Sequence, residues 1–221
     1  MIFASTPMFA TFVAASFVLA ITPGPGVLYI VTRSATQGRA AGLASVAGIA
    51  LGNLGNATAA SLGLAAIFAI SSVAFTAVKY VGAAYLIWLG IQSFRSGATA
   101  LKRGTSGASS GRALSGVALR RIFTDGFLVA LFNPKTALFF AAFLPQFLPA
   151  SAGPFETVAM GAIFVLIAVL TDTCYALASG AVGPRLARGS AGAAGIGRYV
   201  SGSVFIGLGL LTAFTGQRSK A

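Results

Sequence analysis

Apolar positions in this chain come in long unbroken runs, unlike the alternation of a half-buried strand or the one-sided stripe of a surface helix. A helix needs about 20 apolar residues to cross a hydrocarbon core roughly 30 Å thick. Runs of that order predict six spans, at about 8–33, 41–70, 73–94, 118–147, 155–183 and 199–216. An outer-membrane barrel is a poor alternative, because its strands alternate apolar and polar positions over about ten residues. The expected fold class is all-α, a polytopic membrane protein.

Two of these runs are interrupted. In the first, "TPGPG" sets Pro23, Gly24, Pro25 and Gly26 about fifteen residues into the apolar stretch. Prolines donate no backbone hydrogen bond and clash with the preceding turn, so carbonyls near Leu19 to Ile21 lose their partners and a broken helix is predicted. In the fourth, Asn133, Pro134 and Lys135 separate residues 122–132 from 136–148. At 1.5 Å per residue neither piece crosses a bilayer alone, so they form one interrupted span with Lys135 near mid-depth. Broken backbone at that depth is tolerated where protein buries it or where it lines a wet cavity.

The interruptions belong to a repeat. "KYVGAAYLIWLG" (79–90) and "RYVSGSVFIGLG" (198–209) share a basic residue, Tyr-Val and Ile-x-Leu-Gly in register. "FVLAITPGPG" (17–26) and "FLVALFNPKT" (127–136) share Phe-x-x-Ala and a following proline. A repeat unit of three helices must sit upside down relative to its copy, the inverted-repeat plan of many secondary transporters. The expected organisation is residues 1–95 as the first three-helix repeat, 96–116 as a flexible basic cytoplasmic linker and 117–221 as the second repeat, together one transmembrane domain. Within the linker, Lys102, Arg103 and Arg112 are placed to meet anionic headgroups, so membrane lipids are expected partners.

Composition agrees, with 57% hydrophobic and 8% charged residues where a soluble domain has about a quarter charged. The net charge of +12 would suggest nucleic acid in a soluble protein. Its placement argues against that partner. Arg33, Arg39, Arg95, Lys102, Arg103, Arg112, Arg120, Arg121, Arg185, Arg188 and Arg198 fall on one side of a six-span layout, with Lys79, Arg218 and Lys220 on the other. The positive-inside rule makes the first side cytoplasmic and puts both termini outside. Met1 to Ala20 lacks a basic n-region and runs into "TPGPG", so the first span is expected to be retained.

Chemistry is scarce. The chain has no histidine and one cysteine, Cys174, which removes Ser-His and Cys-His dyads, His-based metal sites and an internal disulfide framework. No enzyme, cofactor or metal is expected. Asp172 is the acid deepest in an apolar run, whereas Asp125 and Glu156 lie near predicted span ends. A buried carboxylate can exchange a proton near neutral pH, so Asp172 is the candidate proton-coupling group and a candidate partner of Lys135. In the second span, Gly48 and Gly52 favour close helix packing beside Asn53 and Asn56, two amides able to line a substrate path. Tyr80, Tyr85 and Trp88 fit an interfacial aromatic belt as readily as a ligand pocket, and a structural role is the default expectation for them.

Three motifs in this order, "TPGPGVLYIVTRSATQGRAAGLASVAGIALG", "KYVGAAYLIWLGIQSFR" and "FNPKTALFFAAFLPQF", resemble the LysE/RhtB family of amino-acid exporters over about residues 9–216. The resemblance implies a small inner-membrane secondary carrier, driven by ion gradients, that expels amino acids such as homoserine, threonine, leucine or lysine and some lactone derivatives. It implies roles for Pro23, Gly24, Pro25, Asn133, Pro134, Lys135 and Asp172. Members often carry Asn after Pro-Gly-Pro; here Gly26 removes that amide. A zwitterionic substrate needs an anionic and a cationic contact. Lys135 can meet its carboxylate, while Asp172 takes its ammonium or carries the proton instead. The expected function is proton-coupled export of amino acids or small derivatives. A passive channel or cation carrier on the same repeat is the alternative. The Gly-rich faces suit packing within one chain and between copies, so a homo-oligomer is also an expected arrangement.

Overall fold

The computed structural model describes residues 6–62, 72–102, 115–149, 152–187 and 193–214, and all regular structure among them is helical. The first run is helix α1 (Thr6–Ile21) followed by α2 (Pro25–Gln37). Gly24 is the extended N-cap of α2 and Pro25 occupies its first turn, where a missing N–H costs nothing. The two helices are bent by 48° at the break. After Gly38 comes α3 (Arg39–Ser61), then α4 (Ser72–Lys102). Helix α4 continues through Lys102, into the segment expected to be a linker; residues 103–114 lie outside the described residues.

The Ser115 side chain caps α5 (Gly116–Leu131) by accepting from the Ala118 N–H. Beyond Phe132 and Asn133 the chain resumes as the short α6 (Pro134–Leu138), a π turn (Phe139–Phe143) and a 3-10 turn (Leu144–Phe147). Helices α7 (Pro154–Ala187) and α8 (Ala193–Phe214) complete the fold. Among the described residues, Pro154–Gly183 is a continuous helix long and apolar enough to cross a bilayer, with mean hydropathy 2.0. The bent pair Pro7–Ile21 and Pro25–Gln37 qualifies as a second, interrupted span.

Helix α3 is central, packed on α5 and α7, while α4 lies along α8 and α2 lies against α7 and α3. The α3–α5 approach depends on Gly48 and Gly52. A Cβ at Gly48 would collide with the Phe123 carbonyl, and one at Gly52 with the Phe127 carbonyl. Backbone thus touches backbone along this seam, as small residues permit in apolar surroundings. Two apolar clusters fill the interior. One gathers Tyr29, Ile49, Ile122, Val129 and Phe205; the other stacks Phe12, Phe139, Phe140 and Phe164 around Leu144.

Candidate functional site

In an uninterrupted helix, the carbonyls of Leu19 and Ile21 would accept from the N–H groups at positions 23 and 25. Both positions are proline, so both carbonyls need other donors. The structure supplies one from each of two distant elements. Lys135 Nζ donates to the Leu19 carbonyl at 2.8 Å and to the Thr22 carbonyl at 2.6 Å. Tyr175 Oη, on α7, donates to the Ile21 carbonyl at 2.9 Å.

The second break is satisfied differently. Pro134 orphans the Ala130 carbonyl, which accepts from Asn56 Nδ2 at 3.0 Å and from the Asn133 N–H at 3.1 Å. The Asn133 side chain accepts from the Lys135 N–H at 3.1 Å and so caps α6. Pro134 again fills a first-turn position.

These repairs bring the two interruptions together around a cavity of about 40 Å³ at the seam of the two apolar clusters. Gly24, Asn53, Asn133, Lys135 and Asp172 are among the residues lining it. Asn53 is buried and its Oδ1 has no hydrogen-bond partner. Asp172, 6% exposed, accepts no hydrogen bond from a described residue. Lys135 and Asp172 face the same cavity, yet no ion pair within 4.0 Å joins them. The head of Lys135 goes to backbone carbonyls, a partner the sequence reading had not considered for it.

The cavity is therefore polarised. Two acceptors without partners, Asn53 Oδ1 and the Asp172 carboxylate, suit a cation. The N-terminus of α2 carries no side-chain cap, and Gly24, Gly26 and Val27 line the cavity there. Its positive end, with the third N–H of Lys135, suits an anion. The volume admits a water or two but lies far below the roughly 300 Å³ of small ligand pockets, so this conformation has no room for a larger ligand.

The structure thus places Pro23, Gly24, Pro25, Asn53, Asn133, Pro134, Lys135 and Asp172 in or beside one site. It separates Asn56, which braces the second break, from Asn53, which faces the cavity. Elsewhere it shows a charged cluster the sequence reading missed. The sequence predicts Arg33 in a cytoplasmic loop and Asp125 near a span end, but Arg33 Nη2 lies 3.2 Å from Asp125 Oδ2 with both side chains largely buried. Tyr85 Oη donates to Asp125 Oδ1 at 3.0 Å, so this tyrosine has a charged partner within the fold. The spacing of Tyr29 and Arg33, one helical turn apart, was the available signal.

The LysE type translocator family model matches residues 17–216. A homoserine/homoserine lactone efflux protein of Salmonella typhi is 33% identical over 162 residues, covering 73% of this chain and 75% of that protein. An uncharacterized membrane protein of Vibrio cholerae is 30% identical over 208 residues, 89% of this chain and 91% of its own. A leucine efflux protein of Enterobacter sp. (strain 638) is 31% identical over 144 residues, 65% of each chain. No solved structure matches.

Proposed function

The chain belongs to the LysE type translocator family of membrane transporters, and from that premise we propose that it exports amino acids or small amino-acid derivatives from the cytoplasm by proton antiport. The carrying observation is the small cavity where both helix breaks meet, lined by Asn53, whose Oδ1 accepts from no described residue, by Asp172 and Lys135, and by the uncapped first turn of α2. Groups of both signs in one cavity match the ammonium and carboxylate of a zwitterion. Asp172 serves ammonium and proton in turn. A carboxylate that can hold either one, but not both, couples outward substrate to inward proton.

In this reading the six spans form two inverted repeats in the inner membrane, with the basic ends of the helices cytoplasmic and both termini outside. Support comes from the like pairing of the breaks and from the packing of α4 along α8, the two segments whose sequences repeat. The small volume of the site, which must widen to admit a substrate, favours a carrier over a passive pore.

Counterflow in proteoliposomes tests the proposal. Labelled homoserine, leucine or another member of an amino-acid panel is expected to exchange against the same unlabelled compound, and to accumulate when a pH gradient is imposed. No specific exchange with any panel member would overturn export of amino acids.

The two amides separate binding from bracing. Asn53→Ala deletes an acceptor with no protein partner, so the thermal midpoint should hold while apparent affinity falls about tenfold, the worth of one hydrogen bond to a charged group. Asn56→Ala withdraws one of two donors from the Ala130 carbonyl, which keeps the Asn133 N–H, and should cost about 0.5–1.5 kcal/mol of stability. Melting curves and counterflow on both variants check the contrast; a reversed pattern would place the substrate at Asn56.

A further inference from the structure

Arg33, Asp125, Tyr85 and Phe205 come from four helices, α2, α5, α4 and α8, two on each side of the segment joining the sequence repeats. At their centre the Arg33 guanidinium sits over the ring of Tyr29, with its carbon 5.2 Å from that centroid and 5.7 Å from the centroid of Phe205. The two rings stack at 5.6 Å. Tyr29 Oη is itself anchored on the Ile122 carbonyl at 2.9 Å. The cluster lies about 12 Å along α2 from Pro25 and about 6 Å short of that helix's end. Along α2 it thus stands between the cavity-lining Gly24, Gly26 and Val27 and the C-terminal end of the helix.

Two features make this a poor stability device. A buried ion pair returns little net stability, because desolvation offsets its attraction. This one is also incomplete: Arg33 makes a single bond to Asp125 through Nη2, and its Nε is buried with no partner among the described residues. A guanidinium is best met by a carboxylate that takes two parallel N–H groups at once, and the protein does not provide that carboxylate.

Resting on the export reading, we infer that Arg33 and Asp125 form a cytoplasmic gate which a zwitterionic amino acid opens by replacing the pair ion for ion. The incoming carboxylate takes the forked edge of Arg33, including Nε, and the incoming ammonium takes the Asp125 carboxylate. Neither charge is left unpaired as the two halves part, so the exchange is isoelectric. A substrate with one charge missing leaves one partner buried alone and holds the gate shut. The gate thereby selects for molecules carrying both charges.

The molecule contains its own reporter. Trp88 is the sole tryptophan and stacks on Tyr85 at 5.5 Å, while Tyr85 holds Asp125. In liposomes containing the full chain, an amino acid that exchanges is expected to shift Trp88 emission, with the concentration dependence of exchange. For leucine the control is isopentylamine, the same side chain without a carboxylate, which should leave emission unchanged. Arg33→Gln together with Asp125→Asn removes both charges without stranding either. That variant should show shifted emission without substrate, keep downhill flux and lose at least tenfold in counterflow accumulation. Exchanging the charges, with Arg33→Asp and Asp125→Arg, rebuilds the pair and should restore the resting emission.

Trp88 emission indifferent to an amino acid that the same liposomes exchange would overturn the gate and leave the export reading standing. So would wild-type accumulation by the neutral double variant. Failure of the wild-type protein to exchange any amino acid overturns both.

Discussion

Replacing Lys135 by methionine is expected to lower the initial rate of amino-acid exchange at least about a hundredfold, with the protein still inserted and monodisperse after extraction. Methionine matches the length of the lysine stem but donates nothing. The Leu19 and Thr22 carbonyls, orphaned by the proline-bearing break, would lose bonds of 2.8 and 2.6 Å from a charged donor. Such bonds are each worth about 1.5–3 kcal/mol net, and about 1.4 kcal/mol is a factor of ten in rate. The cavity would also lose its positive side chain. Lys135→Arg should rescue only in part. A Cβ built on Gly24 would lie 3.3 Å from Lys135 Cδ, so the stem already runs close against that backbone and a wider guanidinium has little room. Exchange at the wild-type rate by Lys135→Met would remove Lys135 from the mechanism.

Asp172→Asn is expected to abolish pH-driven accumulation while leaving exchange recoverable at high substrate. Asparagine keeps the shape and one acceptor of the aspartate but takes up no proton. A gradient of one pH unit stores about 1.4 kcal/mol per proton, enough for about tenfold accumulation. The variant should show none, at any substrate concentration. Counterflow should weaken because an ammonium has lost its charged partner, an effect on apparent affinity that added substrate overcomes. If accumulation and exchange fall by the same factor and recover together, Asp172 binds substrate only. If accumulation survives, the proton travels on another group.

The positions of both breaks were legible because a proline's missing N–H acts locally, at a carbonyl four residues upstream. The place of Lys135 beside a break was legible for a similar reason, since it follows from adjacent residues and needs no knowledge of neighbours. Its partner was not. Residues 19 and 22 meet residue 135 only through the packing of α1 against the second half, and the sequence reading carried the orphaned carbonyls and the buried lysine as separate problems. Asn53 and Asn56 were inseparable because, three positions apart, they share a helix face. The Gly48–Gly52 seam sets the α3–α5 register, and that register decides which amide reaches the Ala130 carbonyl. Arg33 and Asp125 were misplaced because a charge near the end of an apolar run reads as interfacial. Their burial depends on Tyr29, one turn from Arg33, and on Tyr85 and Phe205 arriving from two other places in the chain.

Two chain breaks in a helical bundle would ordinarily act as two independent hinges. Here a lysine rooted one residue beyond the second holds the carbonyls of the first. That tether merges them into a single mechanical degree of freedom. Helix α1 cannot swing about residues 22–24 without drawing α6 along, unless both hydrogen bonds part first. Motion begun at either end of the molecule is thus felt at the other through one side chain.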